Sequence, residues 1–85
     1  MNIKKILLVA RDKKIEALRM ATGLTLLDDD VNVLVCGELE NSSHAEEQLE
    51  ALEFSDVPVT IVENQDDVPG AMAAAILQSD VVYIL

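Results

Sequence analysis

Apolar and polar residues alternate along this chain in blocks that predict strands separated by helices. Four runs are almost continuously apolar, which is typical of short strands covered on both faces of a sheet. Between these runs, apolar residues recur at the three-to-four-residue spacing of amphipathic helices. No linker or repeat interrupts the pattern, so we expect a single domain over residues 1–85. The expected strands are 3–10, 31–36, 57–62 and 81–85, and the expected helices are 13–27, 44–54 and 68–78.

The alternation of strand and helix predicts an α/β fold with a parallel sheet. Helical connections join parallel strands through right-handed crossovers. The natural doubly wound arrangement of four such strands has the order 2-1-3-4, with helices on both faces in a three-layer sandwich. In this order the first helix covers one face and the next two cover the other. We therefore expect the first helix's face to be partly bare beside the third and fourth strands in a monomer.

Polar residues lie where the turns and helix caps are expected. Asp12 precedes the first helix, and Ser43 opens a capping box at the start of the second. Asp67 precedes the third helix, whose first turn tolerates a proline. The acidic residues 28–30 are expected to form the turn into the second strand.

The first helix has two apolar stripes, and a sheet can cover only one of them. The other stripe needs a partner, so we expect the protein to self-associate through this helix. One stripe contains Ile15, Leu18, Thr22 and Leu26, and the other contains Ala17, Met20, Ala21, Leu24 and Leu27. The expected interface residues are Met20, Leu24 and Leu27.

Charge and chain length narrow the classes of partner. The net charge is −10, and all six basic residues lie in the first 19 positions. An acidic surface repels phosphate, so we expect no nucleic-acid partner. No apolar run approaches the ~20 residues that span a bilayer, and the chain starts without a signal-peptide pattern. We expect a cytoplasmic protein that does not enter a membrane.

Cys36 and His44 are the residues that could take part in catalysis. Cys36 is the only cysteine and closes an apolar strand, so we interpret it as a core residue. The alternative is a reactive thiol at the carboxyl edge of the sheet, where α/β proteins bind ligands. His44 is the only histidine, on the first turn of the second helix. We interpret His44 as a surface residue, and the alternative is that it serves as a general base.

A ligand could bind at the same carboxyl edge of the sheet. Polar groups there follow the first strand or flank the second helix and the third strand, but no glycine-rich phosphate loop accompanies them. The acidic clusters lack the spacing of calcium loops, and one cysteine with one histidine cannot complete a zinc site. No metal or cofactor is expected. The candidate ligand-binding residues are Arg11, Ser42, Ser43 and Asn64.

Four segments within residues 1–62 resemble the DsrE/DsrF-like family of small sulfur-relay proteins: IKKILLVARD, EALRMATGLTLLDD, VNVLVCG and ALEFSDVPVTIV. The resemblance implies a flavodoxin-like α/β/α sheet and an oligomer, commonly a dimer, trimer or hexamer. Active members of the family carry persulfide sulfur on a cysteine that would map near residues 63–65. This chain has Glu-Asn-Gln at those positions, and the segment after Val62 is short for the family.

Three hypotheses follow for the function. The leading one is a small cytoplasmic, non-catalytic protein that self-associates and serves as an accessory in sulfur metabolism, with a sulfur-relay protein as a partner. The second is a sulfur carrier in which Cys36 accepts sulfane sulfur with help from His44. The third is a module that binds a small ligand or nucleotide at the carboxyl edge of the sheet.

Overall fold

The computed structural model of this protein describes residues 3–27, 29–39 and 41–85. In these residues four strands alternate with three α-helices, so the predicted α/β class is confirmed. A single turn of 3₁₀ helix, Gln65–Asp67, precedes the last helix. The elements are β1 (Lys5–Ala10), α1 (Lys14–Leu24), β2 (Asp30–Cys36), α2 (Ser43–Phe54), β3 (Val59–Val62), α3 (Val68–Leu77) and β4 (Val81–Ile84).

The four strands form a parallel sheet with the order β3-β2-β1-β4. β1 lies beside β2, as expected. The expected order 2-1-3-4 also placed β3 beside β1, whereas β3 pairs with β2 through Val33 and Val59, and β4 pairs with β1 through Leu7 and Val82. The chain moves across the sheet from β1 to β2 and then in the same direction from β2 to β3, through α1 and then α2. Both strand orders can be built with right-handed crossovers alone, so the handedness rule did not distinguish them.

The strand order determines which helices share a face of the sheet. α1 and α2 lie together on one face, where Leu8, Leu18 and Leu52 are fully buried. α3 packs on the opposite face over Leu7 and Cys36. The prediction that α1 has a face to itself is therefore wrong. Among the described residues, the face with a single helix is the face of α3. Apolar residues of the edge strands are exposed on both faces, with Ile61 and Tyr83 on the face of α1 and α2 and Ile84 on the face of α3.

The helix ends differ from the predicted caps by small shifts. The side chain of Ser42, one residue before the predicted cap, accepts the backbone N–H of Ala45 at 3.2 Å. α1 begins without a side-chain cap, and the Asp12 carboxylate lies 3.4 Å from the guanidinium of Arg11. Asp67 occupies the expected N-cap position of α3, but its side chain makes no cap bond. In the acidic turn, Asp28 lies outside the described residues.

The two stripes of α1 are both partly covered within the chain. Leu18 is fully buried, and Met20 and Leu24 are half-buried against the same core. The Thr22 hydroxyl lies 3.2 Å from the side-chain oxygen of Gln48 on α2, so α2 contacts the helix from the side. Leu27 lies beyond the helix end and is exposed. An interface through Met20, Leu24 and Leu27 stays a prediction, although Met20 and Leu24 of the second stripe already pack against the core of the chain.

Candidate functional site

The carboxyl ends of β1, β2 and β3 lie at one edge of the parallel sheet, where ligands bind in α/β folds. Gly37, directly after β2, is the centre of this edge. Its N–H donates to the carbonyl oxygen of Val62 at 2.7 Å, which joins the ends of β2 and β3. Its φ of +89° lies in the left-handed region that favours glycine. A glycine is therefore required here by the backbone.

Two polar side chains approach Gly37 closely. A Cβ atom added to Gly37 would lie 2.9 Å from Nε2 of Gln65 and 3.6 Å from Nζ of Lys14. Lys14 Nζ also donates to the carbonyl oxygen of Glu38 at 3.1 Å, which ties the start of α1 to the loop after β2. Sequence reasoning missed Lys14 and Gln65 at this site. The only local signal was a glycine placed directly after a buried strand.

Cys36 is a core residue, as interpreted from the sequence. Its side chain is only 4% exposed and packs with Leu34 and Val62 on the face that α3 covers. Burial raises the pKa of the Cys36 thiol above its ordinary value, while the positive charges of Arg11 and Lys14 act in the opposite direction and less strongly. The thiol is therefore protonated at neutral pH. A buried, protonated thiol is a poor nucleophile.

His44 is exposed on the first turn of α2, in agreement with the surface interpretation. α2 packs on one face of the sheet, whereas the Cys36 side chain packs on the other. The sheet therefore separates the two residues, and the geometry does not favour their acting as a nucleophile–base pair.

The four candidate ligand-binding residues mostly serve the local structure. Arg11 is exposed and pairs with the adjacent Asp12. Ser42 caps α2, and Ser43 is the exposed first residue of that helix. The Asn64 side chain accepts the N–H of Asp66 at 3.0 Å and so caps the 3₁₀ turn. These four residues follow three different strands, and Arg11, Ser42 and Asn64 each make a bond within their own segment.

The segment between β1 and α1 is joined to the end of β4 by backbone hydrogen bonds. The N–H groups of Asp12 and Lys13 both donate to the carbonyl oxygen of Leu85 at 2.9 Å. Within the described residues, no group of three acidic, cysteine or histidine side chains could hold a metal ion. No helix in that part of the chain is long and apolar enough to cross a membrane.

A groove on the α3 face is the second candidate site, and sequence reasoning missed it. It has a volume of about 660 Å³ and opens toward the amino ends of β2 and β3. Asn32 and Thr60 contribute polar groups to its sheet side, and Lys5 lies at its amino end. The groove exists because β3 lies at the edge next to β2, where α3 does not reach. Its helix wall consists mainly of Ala71, Ala74, Ala75 and Gln78.

Comparisons with protein families, with curated proteins and with solved structures find no match for this chain.

Proposed function

We propose that this chain is a small, non-catalytic cytoplasmic protein that self-associates and acts as an accessory subunit in sulfur relay. The sulfur-relay part rests on the resemblance of residues 1–62 to the DsrE/DsrF-like family. A protein of that family that lacks the cysteine near residues 63–65 would contribute contacts to an assembly and would not carry sulfur itself.

The observation that best supports the non-catalytic role is the position of Cys36. The only thiol of the chain is 4% exposed beneath α3, and burial raises its pKa. Sulfur transfer requires a thiolate that a donor persulfide can reach. A partner would have to displace side chains packed around Cys36 before it could reach this sulfur. The carrier hypothesis therefore has little support from the geometry.

The self-associating role is supported by the uneven cover of the sheet. Two helices cover one face, and α3 covers only part of the other. A chain of 85 residues buries roughly 60–65% of its unfolded-chain surface, so it gains much from covering a further face. A second subunit can provide this cover.

Thiol labelling under native conditions tests the non-catalytic role. The folded protein and the urea-unfolded protein are treated with a maleimide and, separately, with a polysulfide, and the products are measured by intact mass. We expect rapid labelling of Cys36 only in the unfolded chain and no added sulfur on the folded chain. Rapid native labelling together with an added sulfur atom would refute the proposal and restore the carrier hypothesis.

Native mass tests the self-association. Light scattering after size-exclusion chromatography at micromolar concentration should give the mass of an oligomer, larger than the 9.3 kDa of one chain. A monomer would contradict this half of the proposal and leave the labelling result unaffected. Each measurement can therefore contradict one half of the proposal without affecting the other half.

A further inference from the structure

α3 consists entirely of apolar residues. Its ten residues, VPGAMAAAIL, include no charged or hydrogen-bonding side chain. A helix that is hydrophobic on all sides is normally buried on all sides. In the single chain, however, Leu77 is 86% exposed and Ile76 is 39% exposed. α2 differs, because its exposed positions are largely glutamates.

The groove lies directly beside this helix, and apolar and polar residues contribute about equally to its lining. Leu7 and Leu34 lie on the sheet side, and Ala71, Ala74 and Ala75 form most of the helix wall. Small wall residues allow a second helix to approach closely, because the distance between packed helices depends on the side chains at the contact. The charged groups that line the groove, Lys5, Asp29, Asp30 and Asp56, belong to segments at the amino ends of the strands.

The total surface is large for a monomer of this mass. The accessible area is 5579 Å² for a chain of 9.3 kDa. The scaling for compact monomeric proteins gives about 5,000 Å² at this mass, so the excess is roughly 600 Å². One partner in a standard protein–protein interface buries about 800 Å². The excess is therefore of the size that covering one face would remove.

We infer that the occupant of the groove is α3 of a second copy of this chain, with the first copy's α3 in the second copy's groove. This inference rests on the proposed self-association and names its surface. One face carries both an apolar helix and a space beside it for such a helix, so a twofold axis satisfies both at once. The two α3 helices then form a shared layer between two sheets. This assigns the interface to α3 and not to α1.

Two exposed leucines provide a matched test of this surface. Leu77 is 86% exposed at the end of α3, and Leu26 is 87% exposed beyond α1. Leu77→Glu and Leu26→Glu make the same chemical change at equal exposure, and neither removes a core contact. We expect a wild-type dimer and an unchanged dimer for Leu26→Glu. For Leu77→Glu we expect the affinity between the two copies to fall by at least about tenfold, because a charge replaces a leucine that the dimer would bury.

Cross-linking tests the contact without relying on dissociation. Ala74 lies near the middle of α3 on the groove wall, so a twofold axis between the helices brings position 74 of one copy close to position 74 of the other. Ala74→Cys should form a disulfide-linked dimer under mild oxidation at low protein concentration. Glu50→Cys, on the exposed side of α2, is the control and keeps the same buried Cys36.

The possible outcomes distinguish an error in the α3 interface from an error in the self-association itself. A wild-type dimer that Leu77→Glu leaves intact, with no cross-link from Ala74→Cys, overturns the α3 interface but not the self-association. Dissociation by Leu26→Glu alone also overturns it, because the interface would then lie near the end of α1. A wild-type monomer overturns both, and α3 would then be covered by another protein or segment. Melting curves of each variant confirm that it is folded.

Discussion

Replacing Gly37 by alanine tests the geometry of the carboxyl edge, and Gly23 provides a matched control. At Gly37, φ is +89° and a new Cβ would lie 2.9 Å from Nε2 of Gln65. Gly23 lies within α1, and a Cβ added there would meet nothing within 4 Å. The same methyl group is therefore added once to a strained, crowded position and once to an open helical one.

The expected effects on the free energy of unfolding have opposite signs. A left-handed conformation costs an alanine roughly 1–2 kcal/mol, and the displacement of the Gln65 side chain adds to that cost. In a helix, alanine is more stable than glycine by roughly 0.5–1 kcal/mol. For a domain of this size, 1 kcal/mol corresponds to a shift of about 4–8 °C in Tm. We expect Gly37→Ala to melt at least about 4 °C below wild type and Gly23→Ala about 2–8 °C above it.

Thermal unfolding followed by circular dichroism measures both variants. All proteins must be compared at one concentration, because self-association would make Tm depend on concentration. A Gly37→Ala variant as stable as wild type would refute the close approach of Gln65 and the strained φ together. Loss of stability in Gly23→Ala would instead contradict the open surroundings of the helix.

Three further predictions concern a helix cap, the core and the thiol. Ser42→Ala should lower the free energy of unfolding by about 1 kcal/mol, measured by urea titration, because it removes the side-chain acceptor at the start of α2. Leu52→Ala, at a fully buried position, should lower it by about 3–5 kcal/mol in the same assay. Since burial raises the Cys36 pKa, its stabilising contribution is present below the ordinary thiol pKa and is lost as pH rises through the folded value. Wild type should therefore lose stability relative to Cys36→Ala as pH rises above the ordinary thiol pKa of about 8.5.

Each of these predictions has its own control and contradiction. Ser43→Ala should change stability by less than about 0.5 kcal/mol, and a larger effect than that of Ser42→Ala would restore the capping box at Ser43. Leu26→Ala is the control for the core, and equal losses from it and from Leu52→Ala would contradict the burial of α2. Parallel pH profiles for wild type and Cys36→Ala would show that Cys36 titrates alike in the folded and unfolded states.

The sequence predicted the elements well because their signals are local. Continuous apolar runs and helical spacing depend only on neighbouring residues, and the observed strands and helices lie within a few residues of the predicted ones. The core position of Cys36 and the exposure of His44 followed in the same way. The end of α1 was placed three residues too far, at Leu27, since an apolar side chain continues the spacing whether or not the helix does.

The sites were less predictable because they join residues that are distant in the sequence. Gln65 and Lys14 meet at Gly37 only after β2, β3 and α1 have been arranged around one edge. The groove beside α3 depends on where β3 lies in the sheet. The run of ten apolar residues at 68–77 was visible in the sequence, and it was the one signal that could have directed attention to α3.

The sequence by itself determined the α/β class, the number and type of elements and the burial of the only thiol. These follow from hydrophobic periodicity and from the parallel pairing that helical crossovers impose. Only the tertiary structure decided the strand order, and with it the pairing of α1 with α2 and the incomplete cover over α3. The reason is that β3 could extend the sheet beside β2 or lie beside β1 with equally right-handed crossovers. That choice depends on packing between whole elements, and no local pattern encodes it.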